Sequence, residues 1–588
     1  MTLRIWPTRS QFTSGEPVRL RVEATDLDPQ ARGLRVRVLP GASGRSERLD
    51  PDHGAIDSRH PVELDMHGSG SWEVVLDLGD VCASARGSVG FAVVATVELS
   101  DGREERATTA LDVGDHWTSA PRYGFFADFT STESVEESTA RADDLLRLHV
   151  NVVQFYDWMA SHHTLVPTEP EFVDPLGRHL SRTVVERKIA LAHERGMAAI
   201  AYGALYGAEA DFAEEHPDWL LYDGQRRPLV LADIFYLQDI REGSGWRRWI
   251  LDQYRNALAT MGFDGIHIDQ YGYPKRSLSR ATGRWEEVEL GAHFAGFVEQ
   301  ACSEGLTERP EGGSIFNLVN AWPLEQMVHV QSDAATYIEV WEPHATYRDL
   351  YDLVSRARAL RPDKHVILAA YLRPFHPVDG RSAGAMNTFR LASAAISASG
   401  GFHLIAGEGT ALLTEAYYPS YGRLEPDDAE ILRRYCDFAV RHTAALHAGG
   451  PDAAWTYVGP TNDVVLIAHP ELPTGDDVGY CAGAVPGTIW VTARDFGAVT
   501  VLNLVNLVGV DSGTWNADLP SPPHTFEAIE IRVVVTQDVA GVWWDTPDDL
   551  VGTPRALDYR VVDTERNRFL VFTLPRLEFW SLVWWRLA

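Results

Sequence analysis

The sequence predicts a multidomain chain. A central (β/α)8 barrel, the TIM-barrel fold, is flanked by an N-terminal immunoglobulin-like β-sandwich and a C-terminal antiparallel β-domain. Three observations carry this expectation. Eight apolar strand-like segments alternate with helical ones through the middle of the chain, short period-two strands precede them, and strands without helices follow. At 588 residues the chain is also too long for one compact core. The expected divisions are 1–117, 118–448 and 449–588.

In the first part, PVRLRVEATD (17–26), GLRVRVLPG (33–41), GSWEVVLDLGD (70–80), GSVGFAVVATVELSDG (87–102) and RATTALDVG (106–114) alternate apolar and polar residues between turns. Several strands at that spacing read as a sandwich. The central strands are predicted within 124–129, 150–158, 198–207, 265–272, 314–322, 335–341, 365–372 and 401–408. They are nearly continuously apolar, as buried parallel strands are. Between them lie segments such as WRRWILDQYRNALATMG (246–262), where Trp246, Ile250, Tyr254 and Leu258 recur every four residues. Only the connection near 323–330 is too short for a full helix. A doubly wound open sheet would want a glycine-rich loop after its first strand, and GFFADFTSTES (124–134) has none. From about 450 onward strands return alone, among them DVVLIAH, GTIWVTARDFGAVTVLNLVN and FWSLVWWRLA.

Composition excludes several classes of partner. A net charge of −31 argues against nucleic acid and acidic membrane surfaces, which call for basic patches. No run of about 18 apolar residues is present to span a membrane. The four cysteines, Cys82, Cys302, Cys436 and Cys481, form no CxxC pair, so free thiols are expected rather than a disulfide framework or a zinc site. The opening MTLRIWPTRS has no basic segment followed by an apolar run. As it stands the sequence reads as cytoplasmic, or as secreted if a leader has been removed.

In such barrels the chemistry sits at the C-terminal ends of the strands. Those ends carry Asp128 (strand 1), Gln154, Tyr156, Asp157 and Trp158 (strand 2), Tyr202 (strand 3) and Asp269 (strand 4). They continue with Asn320 and Trp322 (strand 5), Glu339, Trp341 and Glu342 (strand 6), Tyr371 (strand 7) and Glu408 (strand 8). Carboxylates and amides bond sugar hydroxyls, and large aromatic rings pack on sugar C–H faces. Cleaving a glycosidic bond takes two carboxyl groups, one to donate a proton and one to stabilise or attack the sugar centre. Asp269 and Glu339, two strands apart, are the candidates. Position alone leaves open a second role for Asp269, a strand-end carboxylate binding loop amides. Glu342, three residues after Glu339, reaches towards the same mouth. Adjacent His162 and His163 project to opposite sides, so no metal is expected, and no cofactor either. The partner is an oligo- or polysaccharide, and the sequence does not give the oligomeric state.

Five stretches resemble glycoside hydrolase family 66, the dextranases and cyclic isomaltooligosaccharide-forming glucanotransferases. They are NVVQFYDWM (151–159), GFDGIHIDQYG (262–272), YIEVWE (337–342), EAYYPS (415–420) and NLVNLVGVDSGTW (503–515). The resemblance implies a nucleophilic Asp269, an acid/base Glu339 and a retaining double displacement on α-1,6-glucosidic bonds. It places Gln154, Asp157 and Trp158 on the sugar being cleaved. No barrel connection is long enough for the inserted carbohydrate-binding module of the cyclising members, so hydrolysis is expected. The alternatives are the same mechanism on another α-glycoside, with hydrolysis or transglycosylation, and a non-catalytic sugar-binding barrel.

Overall fold

The computed structural model describes residues 2–26, 32–42, 62–64, 70–78, 88–309, 312–459, 462–473 and 479–588. Cys82 lies outside these residues, and Cys302, Cys436 and Cys481 are free thiols. No helix among the described residues is long and apolar enough to cross a membrane.

Apolar, β-branched segments build the central sheet. Its strands are β1 (Tyr123–Phe126), β2 (Val152–Phe155), β3 (Ala198–Ala204), β4 (Gly265–Asp269), β5 (Ile315–Val319), β6 (Thr336–Glu339) and β7 (Val366–Ala369). Each pairs in parallel with the next. Residues 402–407 then make two short pairings, Phe402–His403 with β7 and Ala406–Gly407 with β1. With two antiparallel additions the sheet has eleven strands and curls on itself. Close packing at the join needs a glycine, because a Cβ on Gly407 would lie 2.1 Å from the Phe125 ring.

Helices α1 (Val135–Arg147), α2 (Arg182–Glu194), α3 (Gly245–Met261), α4 (Gly291–Glu308), α5 (Tyr347–Leu360), α6 (Ala385–Ser399) and α7 (Pro426–Arg441) cover the outside. Local chemistry sets their limits. Ser134 with Glu137 and Thr346 with Asp349 form reciprocal capping boxes at the starts of α1 and α5. Gly262 and Gly400 end α3 and α6 in the left-handed conformation, φ 87° and 96°. The predicted stripe Trp246, Ile250, Tyr254 and Leu258 is buried against the sheet. Residues 320–330 run in turns, so β5 and β6 are joined without a helix.

On the N-terminal side, a three-stranded and a four-stranded antiparallel sheet enclose their own apolar core. In Val18–Thr25 every second residue is buried, the pattern of a half-covered strand. The C-terminal part pairs a four-stranded with a six-stranded sheet around a separate core. Val499–Asn506, in the six-stranded sheet, is buried along its whole length. One of its faces packs inward, and Trp490, Val501 and Trp580 join the central core on the other.

Candidate active site

Side chains alternate across a strand, so the parity that turns Asp269 inward also turns His267 inward. The same holds for Tyr337 with Glu339 and for Asn317 with Val319. These residues, with Gln154, Tyr156, Asp157 and Tyr202, line a cavity of about 410 Å³ at the C-terminal ends of the strands. Tyr371, Tyr417, Tyr418, Trp341, His162 and Phe235 are also among its walls.

At its centre Asp269 and Glu339 face one another through an amide. Asn317 Nδ2 donates to Asp269 Oδ1 at 2.7 Å and to Glu339 Oε2 at 2.9 Å. Laid end to end, those distances allow the two oxygens at most 5.6 Å of separation. Each carboxyl has a second donor of its own: Tyr202 to Asp269 Oδ2 and Tyr371 to Glu339 Oε1, both at 2.8 Å. Asp269 keeps some exposure to the cavity, but protein surrounds it on every other side.

Burial raises the pKa of both carboxyls, because desolvation disfavours the charged form. The Glu339 charge lifts Asp269 further, against the donors Asn317 and Tyr202. Two like charges this close cannot both ionise cheaply, so the pair loses its two protons in separate steps. Beneath them His267, stacked with Tyr123 and Tyr202, is pushed down to about 3 by burial and stays neutral. Tyr123, Tyr202, Tyr337 and Tyr371 are buried phenols and Tyr156 a half-buried one, and desolvation raises the pKa of each well above the usual value. They offer hydroxyls and flat faces without charge; Tyr156 stacks on Tyr418 at 4.4 Å.

A family model described as Glycosyl hydrolase family 66 matches residues 81–584. The chain belongs to family 66. A cycloisomaltooligosaccharide glucanotransferase of Niallia circulans is 22% identical, over 83% of this chain and 64% of the relative. A dextranase of Streptococcus salivarius is 22% identical, over 84% of this chain and 67% of the relative. The chain thus spans about two thirds of the length of these curated relatives. A crystal structure of a Paenibacillus sp. cycloisomaltooligosaccharide glucanotransferase complexed with cycloisomaltoheptaose superposes with a TM-score of 0.82. Its identity is 19%, over 99% of this chain and all of that one, a likeness of fold.

Of the residues expected at the strand ends, Asp269, Glu339, Gln154, Tyr156, Asp157, Tyr202, Trp341 and Tyr371 meet at the cavity. Six stand elsewhere. Trp158 is fully buried, packs on Phe263 and donates its indole N–H to the Tyr202 carbonyl, so it supports β3 instead of facing a sugar. Glu408 accepts from the backbone of Ala127 and Asp128 and is paired with Lys188 and Arg141; Asp128 is paired with Arg141 as well. Those two carboxylates are spent in an ion network behind the mouth. Asn320, at φ 51°, bonds the backbone of Trp341 and Glu342 and so ties down the loop that follows β6. Trp322 packs on Phe294 beneath Lys275. Glu342 is exposed and lies outside the cavity wall, which leaves Glu339 as the strand-6 carboxyl beside Asp269.

Reading only the last residues of each strand missed Asn317, which sits mid-strand. Its signal was available: a polar residue at an inward parity in the otherwise apolar IFNLV (315–319). Tyr417 and Tyr418 lie in the quoted EAYYPS, but nothing local shows that this segment folds over β2. Phe235, stacked on His162 at 4.2 Å, arrives from a long excursion between β3 and α3 and has no local signal.

Proposed function

We propose that this family 66 chain hydrolyses α-1,6-glucosidic bonds of dextran or isomaltooligosaccharides through a covalent glycosyl-enzyme. Asp269 is the nucleophile and Glu339 the acid/base. The observation that carries the reading is the amide bridge, which holds the carboxyl oxygens within 5.6 Å. Double displacement uses a separation of about 5–5.5 Å, whereas direct attack by water needs roughly 6.5–9.5 Å to fit the water in. Asp269 attacks the anomeric carbon as Glu339 protonates the leaving oxygen. Glu339 then takes a proton from water, whose oxygen displaces Asp269. Neutral phenols and the absence of lysine and arginine among the described lining residues suit an uncharged sugar. The names of the two relatives supply the α-1,6-glucan.

The division at residues 117 and 448 and the closed (β/α)8 reading of the central sheet belong to the same proposal. The pairing of 402–407 with both β7 and β1 supports closure.

The test is NMR of early products from dextran and from isomaltooligosaccharides. The expected result is release of α-anomers first, with Asp269→Ala losing nearly all rate while still binding the glucan. First-formed β-anomers would sink the double displacement. Undiminished turnover by Asp269→Ala would sink the assignment of the nucleophile. Sugars longer than the substrate would instead show transfer by the same mechanism.

A further inference from the structure

Asn317 is the middle residue of β5, and both hydrogens of its amide nitrogen are committed, one to each carboxyl. Its own carbonyl oxygen, Oδ1, is buried and has no hydrogen-bond partner. Leaving a buried acceptor unpaired is costly, and an asparagine kept only for packing would turn to satisfy it. Here the two carboxyls alone set the amide's orientation. Tyr202 touches only Asp269 and Tyr371 only Glu339 among the pair. Among the described residues Asn317 is therefore the one group bonded to both.

We propose that Asn317 is the positioning residue of the catalytic pair, its single amide nitrogen fixing the separation of Asp269 and Glu339. The proposal rests on the reading of those two as nucleophile and acid/base. Without the amide, Asp269 keeps Tyr202 and Glu339 keeps Tyr371 and Trp341, but nothing spans the two, and their repulsion is free to push them apart. The titratable groups around the pair are few. Tyr202 and Tyr371 donate to it, Asp157 adds its charge to that of Glu339 on Asp269, and His267 is neutral. Tyr337 and Tyr418 are phenols that burial holds protonated. None of these can replace an N–H shared by both carboxyls.

The full-length chain is tested with Asn317→Ala and Asn317→Asp. For Asn317→Ala, kcat falls about 100-fold, the cost of losing one preorganised donor, while KM changes little. Both limbs of the kcat/KM profile move to higher pH, because both carboxyls lose a donor that favoured their charged form. Asn317→Asp keeps the shape but adds a third carboxyl, and its loss of rate is greater. Infrared difference spectra of the carboxyl bands across pH, assigned with Asp269→Asn and Glu339→Gln, follow the pair without substrate. They judge the proposal even if the chain cleaves no α-1,6-glucan. A well-folded Asn317→Ala variant with an unmoved infrared titration would overturn it, and so would an unmoved pH profile. If Asn317→Ala does not fold, the isosteric Asn317→Asp decides by the same two readouts.

Discussion

Asp269 and Glu339 are held where neither carboxyl would choose to ionise, and this has a stability consequence. In the folded chain burial and the Glu339 charge lift Asp269 from its ordinary 3.8 to about 7. A carboxyl whose folded pKa is raised binds more protons folded than unfolded, so stability declines as pH rises through that window. Asp269→Asn removes the ionisation. We expect the variant to melt higher than the parent at about pH 8, by on the order of 2 kcal/mol, and to lose this advantage by about pH 4. Melting curves of the two proteins at both pH values are the check. A gap that does not depend on pH would show that the pair is not desolvated. Activity depends on pH differently: it needs one proton on the pair, so it falls both below and above that state.

Among the elements, the loop after β6 connects the strand that carries Glu339 to the C-terminal sheets. It carries Trp341, which is 42% exposed and meets Tyr371 edge-on at 5.7 Å. Trp515 holds it from the other side. The Trp515 indole donates to the His344 carbonyl at 2.8 Å and its backbone N–H donates to Ala345, while Tyr347 N–H donates to Gly513. The C-terminal part thus braces a wall of the cavity through the last residues of NLVNLVGVDSGTW. Trp515→Ala frees the loop but leaves Glu339 on its strand. KM for longer isomaltooligosaccharides should rise about tenfold, equivalent to roughly 1.4 kcal/mol, with kcat within about twofold. Steady-state kinetics decide it, and a fall confined to kcat would mean that the brace acts on the carboxyl itself.

At the scale of the whole molecule, one imidazole joins all three parts. His442, just past α7, is fully buried. Its Nδ1 accepts from the backbone N–H of Ala42 at 2.9 Å, and its Nε2 bonds Asp545 at 2.7 Å. Arg441 also pairs with Asp545. Burial lowers the His442 pKa, and Arg441 and His442 hold the Asp545 carboxyl well below its usual range against burial. Both signs agree. A histidine with a lowered folded pKa stabilises above its ordinary 6.5 and loses that contribution as pH falls. A depressed aspartate does the same below 3.8. Replacing His442 by alanine should cost about 2–4 kcal/mol near neutrality, and less as the pH drops below about 6. Calorimetry should show the variant's transitions lowered and separated; an unchanged thermogram would mean that the junction couples nothing.

Much was legible in the sequence because period and parity are local properties. The near-continuous apolar strands, the stripe on α3, the missing helix after β5 and the carboxylates ending β4 and β6 could each be read from a dozen neighbouring residues. Family membership followed from short motifs around those positions. Which strand-end side chains face the cavity was not legible, since that depends on what arrives from elsewhere. Lys188 and Arg141 claim Glu408 and Asp128, Tyr202's backbone claims the Trp158 indole, and the Trp341 loop claims Asn320. The sequence by itself determined the elements, their order and the two carboxyls, because side-chain alternation and hydrophobic burial act along the chain. Only the tertiary structure decided that an asparagine on the strand between them bridges the pair, because a hydrogen bond across three strands depends on register and curl.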